Sequence, residues 1–238
     1  MNPVYLFTFD TDWCPSWMVD EVLDLLENRG HHATIFSTGG LALDTKERIA
    51  QGEAFELGIH PNFFTEGAVQ HPESIIDPLL KELGPCTACR THGLFWWHGL
   101  GTLLRDRGIC CDSSLAFPSH SLSAPLHAGG IDRYPISWGD WSYLAASEPF
   151  EDVIDSIDSF GKIRVFNFHP VHIAMNTMTL EHWAEYRHLI RTNPDKLREI
   201  FDSGEILERK GIRQLFLQIL ERVAPAKSVT MSMAVERL

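Results

Sequence analysis

Two aspartates, Asp10 and Asp12, close the apolar run Tyr5-Leu6-Phe7-Thr8-Phe9. The run reads as a buried strand. In an extended chain, positions i and i+2 point the same way, so both carboxylates project together from the strand's carboxyl end. No lysine or arginine lies near them in sequence, so they repel each other unless a cation sits between them or one keeps a proton. A divalent metal, with the other Asp acting as a base, meets both demands. The competing reading is an Asp-x-Asp turn that caps a helix beginning at Ser16.

The elements that must position this pair can be read in order. Ser16 to Arg29 carries Trp17, Val19, Val22, Leu23, Leu25 and Leu26 at helical spacing, and Gly30 stops it. His32 to Ser37 is a second strand, Leu43 to Ala50 a helix, and Phe55 to His60 a third strand. Pro72 opens a helix that runs to about Leu83. After Arg90 come Thr91 to Trp97, a helix over Leu100–Arg107 and a strand over Ile109–Asp112. Ser113 to Ala128 is rich in Ser, Pro and His and reads as a long loop, a place where function often sits. Ile131 to Trp138 reads as extended, Phe150 to Phe160 as helical, and Arg164 to His169 as a strand. Thr179 to about Lys210 is helical with breaks, and Gly211 to Val223 is a last amphipathic helix.

Strands alternate with helices and no linker divides the chain, which predicts an α/β fold with a parallel sheet. The expected organisation is one catalytic domain over 1–225, with C-terminal helices from about 179, and a disordered tail over 226–238. A polar residue sits at one strand end after another: Asp10 and Asp12, His60, Arg90, Asp112, Asp140 and His169. In an α/β barrel such residues converge on the face where strands end, and the active site forms there. This convergence carries more weight than any single motif.

Composition narrows the class. The 238 residues suit a single large core, with 44% hydrophobic and 22% charged residues. A net charge of −12 with no basic cluster argues against nucleic acid as the main partner. Seven Trp and fourteen Phe leave aromatics to spare for stacking on sugar rings, although core packing also consumes them. No secretory leader and no stretch of transmembrane length are visible, so a cytoplasmic protein is expected. Cys86-x-x-Cys89 and the adjacent Cys110 and Cys111 are spaced poorly for structural zinc and read as reduced thiols.

Four strings, in order, carry a resemblance: Thr8-Phe9-Asp10-Thr11-Asp12-Trp13, Gly58-Ile59-His60-Pro61-Asn62-Phe63, Arg90-Thr91-His92-Gly93 and Asn167-Phe168-His169-Pro170-Val171-His172-Ile173. They resemble the polysaccharide deacetylase (NodB-like) superfamily, and within it the WbmS-like branch associated with surface polysaccharides. The resemblance runs from about Tyr5 to Ile173. It implies a distorted (β/α) barrel of the polysaccharide deacetylase type that removes acyl groups from sugars with one divalent metal. Carried over by position, it implies Asp10 as general base and Asp12 and His60 as metal ligands. It further implies Arg90 as the group that orients the base, Asp140 as the acid holding that arginine, and His169 as general acid. The superfamily's second motif usually offers two histidines four apart, but four residues after His60 stands Phe64. The third ligand is therefore expected from His71, with Asn62 and His92 as further candidates. Trp13, Asn62, His92 and His172 are candidates for touching substrate, and His172 for supporting or replacing His169. His120 and His127 lie in the long loop and count as weaker candidates.

One Asp and two His with open positions suit Zn²⁺, with Co, Ni, Mn or Fe as alternatives. Metal polarisation of an acyl carbonyl, a water proton taken by Asp10 and a proton given by His169 to the leaving amine compose the expected reaction. The expected substrate is an N-acetylated sugar, either a small molecule or one linked to a nucleotide or lipid. Two other readings compete: hydrolysis of a non-sugar C–N bond such as a formamide or ureide, and a carbohydrate-binding barrel that Phe64 has deprived of its metal.

Overall fold

The computed structural model describes residues 3–117, 124–146, 150–157 and 161–237. In chain order its elements are β1 (Val4–Asp10), α1 (Ser16–Glu27), β2 (Ala33–Ser37), α2 (Leu43–Gln51), β3 (Phe55–Ile59), α3 (Glu73–Leu83) and β4 (Ala88–Cys89). There follow α4 (Leu100–Arg105), β5 (Cys111–Asp112), β6 (Leu126–Ala128), β7 (Ile131–Arg133), β8 (Trp138–Gly139), α5 (Asp140–Ala146), α6 (Phe150–Ser156) and β9 (Ile163–Phe168). The chain ends with α7 (Pro170–Ala174), α8 (Leu180–Thr192), α9 (Pro194–Asp202), α10 (Ile212–Arg222) and α11 (Met231–Arg237).

The strands form one sheet in the order β6-β7-β5-β4-β3-β2-β1-β9-β8. Each neighbouring pair is parallel except β6 with β7. The curled sheet with helices outside it is the distorted barrel that the resemblance implied. Alternation along β1 explains its two faces. Phe7 and Phe9 point outward and pack with Val19, Val22 and Leu23 of α1, Phe166 and Phe168 of β9, and Phe216 of α10. Leu6 points inward beside Phe36, Ala88, Cys111, Tyr134 and Val165. Thr8 and Asp10, on the same inward face, carry the polarity toward the strand ends.

Helix α1 starts after Pro15 with no side-chain cap, so the Asp-x-Asp sequence is not a helix cap. The described part of the tail expected to be disordered, 226–237, carries helix α11. The amide of Val229 donates to the carbonyl of Tyr5 (3.0 Å) and that of Met231 to Thr34 Oγ1 (2.9 Å). Val229, Met231 and Ala234 are buried in the inward core cluster, at the end where strands begin. Their apolar residues are too few and too short in span for periodicity to reveal; it is the open barrel end that orders them. Residues 131–138, read as one extended stretch, divide into β7 and β8 around Tyr134 and Ile136. The expected helix over 150–160 is seen as α6, and its last three residues lie outside the described set, as does His120. No helix among the described residues is long and apolar enough to cross a membrane.

Candidate active site

Three donors from three strand ends meet at one point. Asp12 follows β1, His60 follows β3 and His92 follows β4. Asp12 Oδ2 lies 3.0 Å from His60 Nε2 and 2.9 Å from His92 Nδ1. One ligand atom from each of the three lies within 4.8 Å of the others. A tetrahedral cation with bonds of about 2.1 Å sets its donors roughly 3.4 Å apart, so this carboxylate–imidazole set fits a divalent metal of the zinc type. Burial raises the Asp12 pKa, but the hydrogen bonds from His60 and His92 outweigh it and the carboxyl is held well below the usual range. The bond to Asp12 in turn raises the pKa of His92.

The expected third donor, His71, is not in this cluster. Its side chain is 73% exposed and sits 3.5 Å from Glu73, at the start of α3. Asn62 is exposed as well, and its Oδ1 accepts the amide of Phe64 in a local turn. Phe64 stands with its ring edge-on to His92, 6.1 Å between centroids. Gly93 lets it approach: φ is +63°, and a Cβ there would fall 2.7 Å from the Phe64 ring. The residue that replaces the usual second histidine thus buttresses the histidine that stands beside Asp12.

Asp10, inside the barrel mouth, is held on both oxygens. Arg90 Nη1 donates to Oδ1 (3.0 Å) and Asn167 Nδ2 to Oδ2 (3.0 Å). Burial pushes its pKa up, yet the charges of Arg90, His60 and His169 win and keep it low. Arg90 is fully buried and also bonded to Asn167 Oδ1 (2.6 Å), the carbonyl of Ser113 and Ser113 Oγ. Its guanidinium lies 4.5 Å from the centroid of Phe36. Gly58 makes room for that ring, since a Cβ there would fall 2.6 Å from it.

Asp140 does not hold Arg90, as the resemblance implied. It caps the turn after β9: Oδ2 accepts the amide of His169 (2.6 Å) and Oδ1 contacts His169 Nδ1 (2.8 Å). The physical reason is strand order. Strand β8, which delivers Asp140, pairs with β9 and not with β4. Arg90 finds Ser113 on the adjoining β5 side instead. Burial alone would lower the His169 pKa, but Asp140, then Asp10 and Asp12, lift it to about 9. With Nδ1 committed to Asp140, Nε2 is the nitrogen left for the pocket. His172 lies beneath, edge-on to His169 at 5.5 Å, with Nδ1 3.1 Å from Thr177 Oγ1. Burial pushes its pKa down to about 4, so it is a neutral packing neighbour and does not line the pocket.

Asp10, Asp12, His60, His92 and His169 line a pocket of about 310 Å³ together with Trp13, Thr91, Trp141 and Asn167. Trp13 has φ +58°, an uncommon value for a bulky residue, and such conformations gather at functional sites. Its ring lies parallel to His169 (6.3 Å) and edge-on to His92 (5.8 Å). Asn167 and Trp141 escaped the sequence reading. Asn167 had a signal, since it precedes His169 by two in a strand and must share its face. Asp112 is outside the site: it pairs with Arg133 (2.9 Å). His127 is exposed and pairs with Asp132 (3.0 Å).

A Bordetella bronchiseptica structure described as a polysaccharide deacetylase involved in O-antigen biosynthesis is 27% identical over 92% of this chain and 90% of its own, with a TM-score of 0.77. A Mycobacterium smegmatis structure described as a polysaccharide deacetylase is 16% identical over 97% of this chain and 93% of its own, TM-score 0.53, and speaks for the fold alone. So does a 4-α-glucanotransferase from Thermococcus litoralis, 16% identical over all of this chain and 38% of its own, TM-score 0.54, whose reaction warns against reading chemistry from the barrel. No curated protein matches. The WbmS-like polysaccharide deacetylase family model matches residues 7–187, most of the chain and all of the site. This chain therefore belongs to the WbmS-like polysaccharide deacetylase family.

Proposed function

We propose that this protein is a metal-dependent deacetylase that releases acetate from an N-acetylated sugar on the way to a surface polysaccharide. The observation that carries the reading is the placement of Asp10 and His169 in one pocket with the Asp12–His60–His92 donor set. A divalent cation held by those three residues would polarise the acyl carbonyl and acidify a water toward a pKa of about 7. Asp10 accepts the water proton. Its low pKa makes it a poor base for ordinary water, so it depends on that acidification. Arg90 and Asn167 fix its two oxygens and keep it from swinging onto His60. His169 keeps its proton through neutral pH and gives it from Nε2 to the leaving nitrogen, while the nascent carboxyl becomes acetate. Asp140 holds the imidazole in that tautomer and orientation.

His92 also bears on the binding-module reading. That reading rested on Phe64 leaving the metal without a third protein donor, and His92 stands in the position to supply one. The test is elemental analysis of the purified protein beside an Asp12→Ala, His60→Ala variant, with acetate release measured on N-acetylated sugars. About one metal per chain, lost in the variant together with roughly a thousandfold or more of activity, is the expected result. A protein that takes up no metal, or a variant that still deacetylates, would sink the proposal. Formate or ammonia release in place of acetate would turn it toward the non-sugar C–N hydrolase.

A further inference from the structure

Helix α8 presents a cationic and aromatic stripe that the reaction above does not use. Leu180, Trp183, Arg187, His188 and Arg191 recur at three- and four-residue spacing, so they share one face of the helix. With Trp141 they line an open groove of about 480 Å³. Trp141 also lines the catalytic pocket, so the two cavities meet at its ring. The Arg187 guanidinium lies 5.8 Å from the centroid of Trp13, the ring that covers His169.

The two arginines are free to meet an anion. Among the described residues, carboxylates take up Arg48, Arg90, Arg105, Arg107, Arg133, Arg198 and Arg213, whereas Arg187 and Arg191, like Arg29, Arg209 and Arg237, have none within ion-pair distance; what distinguishes Arg187 and Arg191 is that both line the groove beside the catalytic pocket. Acidic residues outnumber basic ones 32 to 20, and against that background two exposed guanidiniums on one groove beside the pocket concentrate positive charge there. The last-turn position of Arg191 suits the helix dipole, but Arg187 lies a full turn earlier and over a pocket tryptophan. Guanidinium groups pair in two-pronged fashion with phosphate oxygens.

We propose that this stripe binds the phosphate or diphosphate that joins the sugar to its carrier, with the sugar over Trp13 and Trp141 and its acetamido group in the pocket. The substrate class is thus a glycosyl diphosphate and not a free sugar or finished polymer. The inference rests on the deacetylase reading and deepens it. The shared chemistry leaves two sources, a nucleoside diphosphate and a lipid diphosphate.

The first test does not need turnover. Binding of inorganic pyrophosphate is measured by calorimetry on the protein as purified and on an Arg187→Gln, Arg191→Gln variant whose melting temperature matches it. At least tenfold weaker binding by the variant is expected; equal binding, or none by either protein, overturns the proposal. UDP and farnesyl diphosphate are then compared as probes, and tighter binding of one than of pyrophosphate supports the site and names the source. Next, kcat/KM is compared for a UDP-linked N-acetylhexosamine and the free sugar. The variant should lose about tenfold in the ratio of the two, and an unchanged ratio counts against the site. If no sugar yields acetate, the deacetylase reading fails, while the pyrophosphate result still decides the groove.

Discussion

Two buried aspartate–arginine pairs sit at strand ends of the same sheet. Asp10 meets Arg90 at 3.0 Å and Asp112 meets Arg133 at 2.9 Å. Their electrostatics go opposite ways. Burial raises both carboxyls, but Asp10 is surrounded by Arg90, His60 and His169 and ends up low, whereas Asp112 has one cation and ends up high. Asp112 also accepts from the amide and hydroxyl of Ser114, and Arg133 lies 3.7 Å from the centroid of Trp96. That pair is closed on itself and lines no part of the catalytic pocket. Asp10 opens into the pocket. Of these two strand-end carboxylates, the one that opens into the pocket is the one on which cationic groups from several other strands converge.

Asp10→Asn should separate the two pairs most sharply. Acetate release should fall about 10²- to 10⁴-fold, with little change in melting temperature, because Asn167 and Ser113 still engage Arg90. Asp112→Ala should do the reverse. It leaves Arg133 buried without its acid, a loss of roughly 3–5 kcal/mol in stability, while kcat at a temperature where the variant is folded stays close to the parent's. Denaturant melts beside steady-state kinetics decide it; an inactive but stable Asp112 variant would erase the distinction.

A second pair sharpens the metal set. His92→Ala should weaken metal binding by at least about tenfold, the scale seen when even supporting groups of a metal site are removed. His71→Ala should leave affinity unchanged, since His71 faces solvent beside Glu73. Metal titration of both variants is the measurement, and a reversed order would return the third ligand to α3.

A smaller effect concerns His169. Its folded pKa of about 9 lies above the ordinary histidine value, so its stabilising contribution is full below about pH 6.5 and is lost as pH rises through 9. In Asp140→Asn the largest upward influence is gone and only Asp10 and Asp12 oppose burial, so that stability window should shrink and the basic limb of activity should move to lower pH. Titration of the imidazole by NMR in the metal-free protein, beside the pH–rate profile, checks the sign. A basic limb that stays in place would remove His169 from the proton-donating role.

The barrel was implied by the family resemblance, while periodicity and strand-end residues were sufficient for an α/β fold with a parallel sheet, for β1, β2, β3 and β9, and for the convergence of Asp10, Asp12, His60, Arg90 and His169. These are local signals: alternation sets the face, and parallel strands with helical crossovers bring their carboxyl ends to one side. The partners of those residues were another matter. Asp140 goes to His169 and Ser113 to Arg90 because β8 pairs with β9 and β5 with β4, an order that no window of sequence contains. His92 rather than His71 stands beside Asp12 because the turn after β4, with Gly93 admitting Phe64, aims it into the barrel mouth, while His71, just before α3, faces solvent. The tail is ordered by a barrel end that exists only once the sheet has curled. The sequence by itself determined which residue types stand at which strand ends; the tertiary structure alone decided which of them touch, because contact between residues tens of positions apart depends on how the whole sheet is ordered and closed.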